Sequence, residues 1–192
     1  MLNEGVIGKI QHIESRRTNL GRFFPGESAL RDLAPHDLSL ILGITNDCPV
    51  EVDCREKVFF EEGVADMNHL TLHYSDYEVD MYFSRYAPVK EQRLVVTGTA
   101  GFLIFDDTKP WHEKLVHDGR YVSKNPLPLI HDGEHHALEI FQEFPLMQEM
   151  HAFIEAIEHG KETESTGEDA YKVLKIMRAA EEAALKRTAI KL

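Results

Sequence analysis

The chain has 192 residues, with 21 basic against 33 acidic side chains and a formal charge of −12. That length buries one substantial core, so a single domain over 1–192 is expected. The charge argues against nucleic acid and anionic membrane as partners, because both are repelled over most of the surface. A phosphorylated ligand in a local basic pocket remains open. Met1-Leu2-Asn3-Glu4 starts no secretory signal and no stretch approaches the ~20 apolar residues of a membrane span, so a cytoplasmic location is expected. Cys48 and Cys54 are too few for a disulfide framework and lack zinc-knuckle spacing, which reads as reduced structural thiols.

Residues 5–16 alternate loosely and predict a strand, with Ile7, Ile10 and Ile13 as its apolar content. Arg16, Arg17, Asn19 and Arg22 then gather in a loop with Gly21 and the Pro25-Gly26 turn. Three arginines in so acidic a chain form an anion-facing cluster, and a guanidinium fork suits a carboxylate or phosphate. A solvated loop with surface charge is the other reading.

From Ala29 to Leu42 the pattern is an amphipathic helix ending near Gly43, with Asp32, His36 and Asp37 at its mouth. Pro35 is expected to open it, since proline is tolerated in a first turn where its missing N–H has no partner to lose. His36 would then sit beside the positive end of the helix dipole, polarised by Asp32 and able to exchange a proton with a bound hydroxyl or carbonyl. The bland alternative makes Asp37 a first-turn charge, Asp32 a cap and His36 a polar residue at a helix start.

Residues 50–60 read as a strand, with alternating Val50, Val52 and Cys54. Residues 66–74 and 77–86 form a clearer pair, joined by the short Ser75-Asp76 link as an antiparallel hairpin. One apolar face per strand implies a sheet covered on one side by helices or by another subunit. Two more strands, 91–97 and 101–105, flank Gly98-Thr99-Ala100-Gly101. Those glycines lie between two strands, so no row of helix N-terminal N–H groups faces a pyrophosphate, and neither Gly-x-Gly-x-x-Gly nor a Walker motif occurs.

Between Lys109 and Phe144 the pattern is poor: Trp111, His112 and His117 suggest an irregular strand, and Pro126 and Pro128 a loop. His131-Asp132-Gly133-Glu134-His135-His136 holds the side chains zinc uses, but Gly133 interrupts any ligand-bearing helix and adjacent histidines do not readily face one ion. A polar loop without metal is expected there. Pro145 opens a helix to His159 that carries Leu146, Met150, Phe153, Ile154 and Ile157 on one face and stops at Gly160. Thr166-Gly167-Glu168-Asp169 has the form of a capping box, and a last helix carries Ala170, Val173, Leu174, Met177 and Ala180 to Lys186-Arg187. Both stripes are expected to be core, covering one face of the sheet. The fold class is therefore α+β: an open, mostly antiparallel sheet with helices on one face.

Asp32-Leu33-Ala34-Pro35-His36-Asp37 resembles the signature that opens the C-terminal domain of Gfo/Idh/MocA-type NAD(P)-dependent sugar dehydrogenases, in the branch carrying Pro-His-Asp. Ile7-Gly8-Lys9-Ile10 and Arg17-Thr18-Asn19-Leu20-Gly21 are similar to that domain's first strand and substrate loop. Residues 93–101 and Phe105-Asp106-Asp107 resemble its late strands, and residues 151–157 and 166–170 its closing helices. The resemblance implies oxidation of a sugar or nucleotide-sugar carbinol, with hydride passing to NAD or NADP. His36, oriented by Asp32, would relay the hydroxyl proton, and Arg16, Arg17, Asn19 and Arg22 would hold the substrate's polar periphery.

In that family the dinucleotide sits on an N-terminal Rossmann domain, which also supplies the lysine of a Glu-Lys-Pro motif. The chain begins where the second domain would begin, and Lys109-Pro110 follows Thr108, so the lysine's role is not carried onto it. Three readings follow. The first is the substrate-binding, acid/base half of such a dehydrogenase, which binds no cofactor alone, works with a Rossmann domain in cis or in trans and forms a homo-oligomer through the uncovered sheet face. The second is a non-catalytic oligomerisation or sugar-binding module of the same descent. The third, more distant, is a metal-dependent hydrolase centred on the histidine-rich loop.

Overall fold

The computed structural model describes residues 5–124, 126–142, 144–163 and 165–192, so the N-terminal tetrapeptide read above lies outside the described residues. The strands are β1 (Ile10–Leu20), β2 (Glu51–Lys57), β3 (Met67–His73), β4 (Glu78–Ser84), β5 (Tyr86–Gly98), β6 (Gly101–Asp106), β7 (Leu115–Asp118), β8 (Tyr121–Lys124), β9 (Pro128–His131), β10 (His135–Ala137) and β11 (Ile190–Lys191). The helices are α1 (Ala29–Thr45), α2 (Pro145–His159) and α3 (Gly167–Lys186), and a 3-10 turn spans Trp111–Glu113. Among the described residues one nine-stranded sheet runs β10-β7-β6-β5-β1-β4-β3-β2-β11, and β8-β9 forms a separate ribbon. Every neighbour pair in the large sheet is antiparallel except β1 and β4, which run parallel. The fold is α+β with a mixed sheet, as the alternation implied.

The alternating positions sort onto two faces. Ile13, Val79, Met81, Phe83, Leu70, Leu72, Val52, Cys54, Leu94, Val96 and Leu103 share one core with Leu30, Ala34, Leu38 and Ile41 of α1 and with Val173, Ile176, Met177 and Ala180 of α3. The parallel β1–β4 pair requires a crossover, and α1 lies within it, so the helix is brought across this face. Thr166 and Asp169 form the reciprocal capping box at the start of α3.

α2 departs from expectation. It spans the residues predicted and carries Gly160 in a left-handed conformation at its C-cap, yet Leu146, Met150, Phe153, Ile154 and Ile157 are all exposed. A helical period shows that one face seeks cover, not what supplies it, and the helical residues of the core come from α1 and α3. The predicted strand at residues 5–16 also starts later and runs longer, to Leu20, because β1 pairs with both β4 and β5 along its length. Where an irregular strand around Trp111, His112 and His117 and a loop around Pro126 and Pro128 are expected, the chain forms a 3-10 turn, β7, the β8–β9 ribbon and β10, whose short runs carry no clear period.

The turn after β5 shows why Gly98 is glycine. A Cβ there would fall inside contact distance of the Ile7 carbonyl, whereas one on Gly43, on α1, would meet nothing within 4 Å. Gly98→Ala is therefore expected to lower the unfolding free energy by roughly 1–3 kcal/mol through overpacking. Gly43→Ala should raise it by about 0.5–1 kcal/mol, because glycine costs a helix interior backbone entropy. Urea denaturation of both variants checks the opposite signs.

Candidate functional site

α1 starts earlier than Pro35. Ser28 is its N-cap, with a side chain that accepts from the Arg31 N–H, and the Ala29 N–H donates to the Ala65 carbonyl. Pro35 lies inside the helix, a position that ordinarily costs ~3 kcal/mol. Burial of Ala29, Leu30 and Ala34 upstream, the Ser28 cap and the Arg31–Glu181 ion pair to α3 (2.6 Å) hold the first turns against that cost. His36 and Asp37 thus sit in the second and third turns, away from the positive end of the dipole. Asp32 is not the cap. The helix ends at Thr45 with Asn46 left-handed as its C-cap, just past the predicted Gly43.

Asp37 is 4% exposed, on the core-facing stripe of α1. Its Oδ1 accepts from Arg17 Nε (3.0 Å) and Nη2 (2.5 Å), and its Oδ2 accepts from the Ser15 hydroxyl (3.0 Å). Ser15 and Arg17 are alternate residues of β1 and so face the same side. A buried carboxylate is tolerable only when so paired. The residue read as a first-turn charge is the bolt between helix and sheet.

Asp32 and His36 are one turn apart and project from the side of α1 opposite the core stripe. His36 is exposed and has no side-chain partner among the described residues. Among the described residues no hydrogen bond joins His36 to Asp32, the carboxylate expected to polarise it. Asp32 Oδ2 instead lies 3.9 Å from Nη1 of Arg85, a buried guanidinium that also has Glu27 Oε2 at 4.0 Å and donates through Nη2 to the Glu27 carbonyl. Arg85 Nε and Nη1 have no hydrogen-bond partner among the described residues. A cation below the first turn opposes the helix dipole, and the two carboxylates offset it. Beside it Phe23, Phe60, Tyr86 and Phe59 form a chain of edge-on and tilted rings, with the Arg85 guanidinium 5.8 Å from the centre of Phe23.

The four substrate-loop candidates are not one cluster. Arg16, Arg17 and Asn19 belong to β1 itself, and strand alternation sends Arg16 and Arg17 to opposite faces. Arg16 donates to Glu91 Oε2 (3.2 Å) and stacks over Tyr82 (5.0 Å) on the face without helices. Arg17 stays on the α1 side, fixed by Asp37. Asn19 and Arg22 are exposed at the end of β1 and in the loop after it, and Arg22 is unpaired among the described residues. The sequence reading missed Ser15 and Arg85 as partners of this region. A charged residue on an otherwise apolar helical stripe was the legible sign for Asp37; Arg85 carries no such sign.

The remaining candidates are structural. In the Gly98–Gly101 turn the Thr99 N–H donates to the Lys9 carbonyl (2.9 Å) and the Ala100 N–H to the Ile7 carbonyl (2.8 Å), so these donors serve the chain and not a phosphate. In the histidine-rich stretch, Asp118 is held well below the usual carboxylate range by the Arg120 guanidinium, with His135 Nδ1 3.3 Å away. Among the described residues no group of three or more His, Cys, Asp or Glu side chains is placed to hold a metal ion. Burial pushes the Cys54 thiol up to about 12, which leaves it inert as a nucleophile. No helix among the described residues is long and apolar enough to cross a membrane.

Residues 1–104 match the family model described as the GFO/IDH/MocA C-terminal domain. No curated protein matches the chain. Among solved structures, a protein from Magnetospirillum magnetotacticum MS-1 described as an oxidoreductase is 26% identical, with a TM-score of 0.77 over 92% of this chain and 56% of that one. The aldose-aldose oxidoreductase from Caulobacter crescentus, complexed with glycerol, is 18% identical with a TM-score of 0.79, over 100% of this chain and 58% of that one. The UDP-N-acetylglucosamine 3-dehydrogenase GnnA from Acidithiobacillus ferrooxidans is 20% identical with a TM-score of 0.77, over 95% and 57%. At such identities the last two establish the fold alone. The chain spans less than two thirds of the length of each of these structures.

The neighbours Asp37 and His36 should respond oppositely to substitution. Asp37→Asn removes the charge that Arg17 binds and is expected to cost roughly 1.5–3 kcal/mol of stability. His36→Asn, at an exposed position, should stay within about 0.5 kcal/mol. Urea denaturation followed by circular dichroism measures both.

Proposed function

The chain belongs to the GFO/IDH/MocA family as its C-terminal domain, and from that premise we propose that it is the substrate-binding, proton-transferring half of an NAD(P)-dependent oxidoreductase acting on a sugar or nucleotide sugar. The observation that carries the reading is His36: an exposed imidazole, unpaired among the described residues, one helical turn from a carboxylate on the outward side of α1. A histidine is the side chain best suited to exchange a proton near neutral pH. In this reading His36 moves the proton at the substrate's reacting hydroxyl, and Asp32, moored by Arg85, supplies negative charge and a hydrogen-bond acceptor beside it. Arg17, held rigid by Asp37, and Asn19 and Arg22 at the end of β1 bind the polar periphery. Arg16 leaves the proposed site, since it lies on the other face of the sheet.

The Gly98–Gly101 turn does not fit a dinucleotide's phosphates, because the Thr99 and Ala100 N–H groups are already bonded to the Lys9 and Ile7 carbonyls. Redox chemistry in the proposed enzyme comes from a nicotinamide bound on a separate Rossmann domain, in cis or in trans. The uncovered stripe of α2 supports such a second half, since five large apolar residues on one helix face rarely stay in water. The helix-free face of the sheet is proposed to associate with a second copy. There the register aligns Val95, Ile104, Val116 and Ala137 in one apolar row across four strands.

Two measurements test the reading. On the chain as it stands, amide shifts in the Arg17–Arg22 segment and at His36 are expected on titrating UDP-N-acetylglucosamine or a free aldose, and no saturable fluorescence change on titrating into NADH. Micromolar NADH binding would overturn the division of labour. With the dinucleotide-binding half supplied, His36→Ala should lower turnover by roughly 10²–10⁴, and Asp32→Asn should do part of the same damage while leaving the fold intact. Full activity in His36→Ala would sink the proton-relay assignment.

A further inference from the structure

β2 has a neighbour along its whole length on one side only. On its inner side it pairs with β3 from Glu51 to Lys57, but on its outer side β11 reaches only Glu51 and Val52. The reason lies at the end of α3. Arg187 is left-handed there (φ 54°), and the N–H groups of Arg187 and Thr188 both return to the Ala183 carbonyl, so the chain is drawn to the helix end and meets the edge only at Ile190. Residues 53–57 therefore keep an outer edge with no strand beside it among the described residues. Such an edge presents a row of backbone N–H and C=O groups, a template for one more strand.

A cavity of about 890 Å³ lies at this place. Its lining takes in every residue from 53 to 58, together with Ala184, Arg187, Thr188 and Ala189. At ~3.3 Å per residue such a run of strand extends for roughly 20 Å. That length suits an extended chain better than a compact anion.

Charge indicates which kind of chain. Arg55, Lys57 and Arg187 border the cavity, are exposed and have no ion-pair partner among the described residues. Every other described arginine except Arg22 has a carboxylate within 4.0 Å. The cavity's own carboxylates, Asp53 and Glu56, pair with none of the three. Alternation puts Arg55 and Lys57 on the face opposite the buried Cys54, while Arg187 stands at the end of α3 on the helix-bearing side. An added strand sends successive side chains to the two faces in turn, so cations meet it on both. Val58, 42% exposed, offers apolar surface at one end. The same cations repel the equivalent edge of another copy, which selects against self-pairing and for a strand rich in Asp and Glu. At physiological ionic strength charges beyond about 8 Å are screened, so these local cations decide the contact and not the net charge.

We propose that the outer edge of β2 is a docking site for an extended acidic segment of another protein. The segment adds a strand beside residues 53–57, sets carboxylates against Arg55, Lys57 and Arg187, and lays an apolar residue over Val58. Backbone hydrogen bonds to the edge supply affinity, and the cations choose the partner. The site is three places from β1 in the sheet order and is independent of the substrate site proposed above.

The probe that tests this is an acetylated, amidated octapeptide alternating glutamate and valine, titrated into the whole isotopically labelled chain. Amide shifts and slowed hydrogen exchange are expected at residues 53–58 and 187–189, and added salt should weaken the binding. Arg55→Glu with Arg187→Glu should weaken it at least about tenfold, with far-ultraviolet dichroism unchanged because both positions are exposed. The same peptide with alternate backbone amides methylated keeps its charge but cannot pair as a strand, and should not bind. Equal binding by the methylated peptide, or the same shifts from inorganic pyrophosphate, overturns strand addition in favour of a simple anion site. Shifts confined to the Arg17–Arg22 segment, none at 53–58 with millimolar peptide, or undiminished binding by the doubly substituted chain overturns the proposal outright.

Discussion

The carboxylate of Asp37 sets the geometry of the candidate site, although it takes no part in the proposed chemistry. It lies on the core side of α1, where an unpaired charge would cost several kcal/mol, and it is tolerated because Arg17 and Ser15 of β1 supply three donors. Apolar packing alone would let a helix rotate on a sheet by tens of degrees at little cost, since hydrophobic burial is non-directional. Three directed hydrogen bonds remove that freedom. With Asp37 turned inward, the 3.6-residue period turns Asp32 and His36 outward together, and the same bonds immobilise the Arg17 guanidinium on the core side of α1.

Pro35 is the second constraint. Inside α1 it withholds an N–H from the Arg31 carbonyl, so the first turn and a half of the helix is less firmly tied to the rest than an uninterrupted helix would be. That segment is instead secured from outside: by Ala65 at its first N–H, by Glu181 of α3 at Arg31 and by Arg85 beneath Asp32. Asp32 is therefore positioned by tertiary contacts and His36 by the continuous helix after Pro35. The two side chains share a face but have separate anchors, which gives a physical reason why no hydrogen bond joins them.

The elements legible in the sequence were those whose period and punctuation agree. Pro145 and Gly160 bracket α2, Thr166 and Asp169 announce α3, and Leu70-Leu72 against Val79-Met81-Phe83 gave a hairpin whose buried faces follow. The start of α1 was misread because Pro35 is the stronger local signal and the helix before it depends on Ser28, Ala65 and Glu181, the last two remote in sequence. The arginine cluster was misread because adjacency in sequence was taken as adjacency in space, whereas in a strand neighbouring residues point to opposite faces; Arg16 and Arg17 are a clean instance. Arg85 was invisible for a different reason. Its partners Glu27 and Asp32 lie more than fifty residues away, and nothing in a strand-end Ser-Arg-Tyr marks the arginine as buried.

The exposed apolar surfaces have a common logic once the core is accounted for. α1 and α3 build the core on one sheet face, and α2, the apolar row on the other face and the β8–β9 ribbon lie outside that core. They differ in chemistry. α2 presents an aliphatic and aromatic stripe on a helix with carboxylates at Glu149, Glu155 and Glu158, whereas the ribbon is free of carboxylates and borders the sheet row.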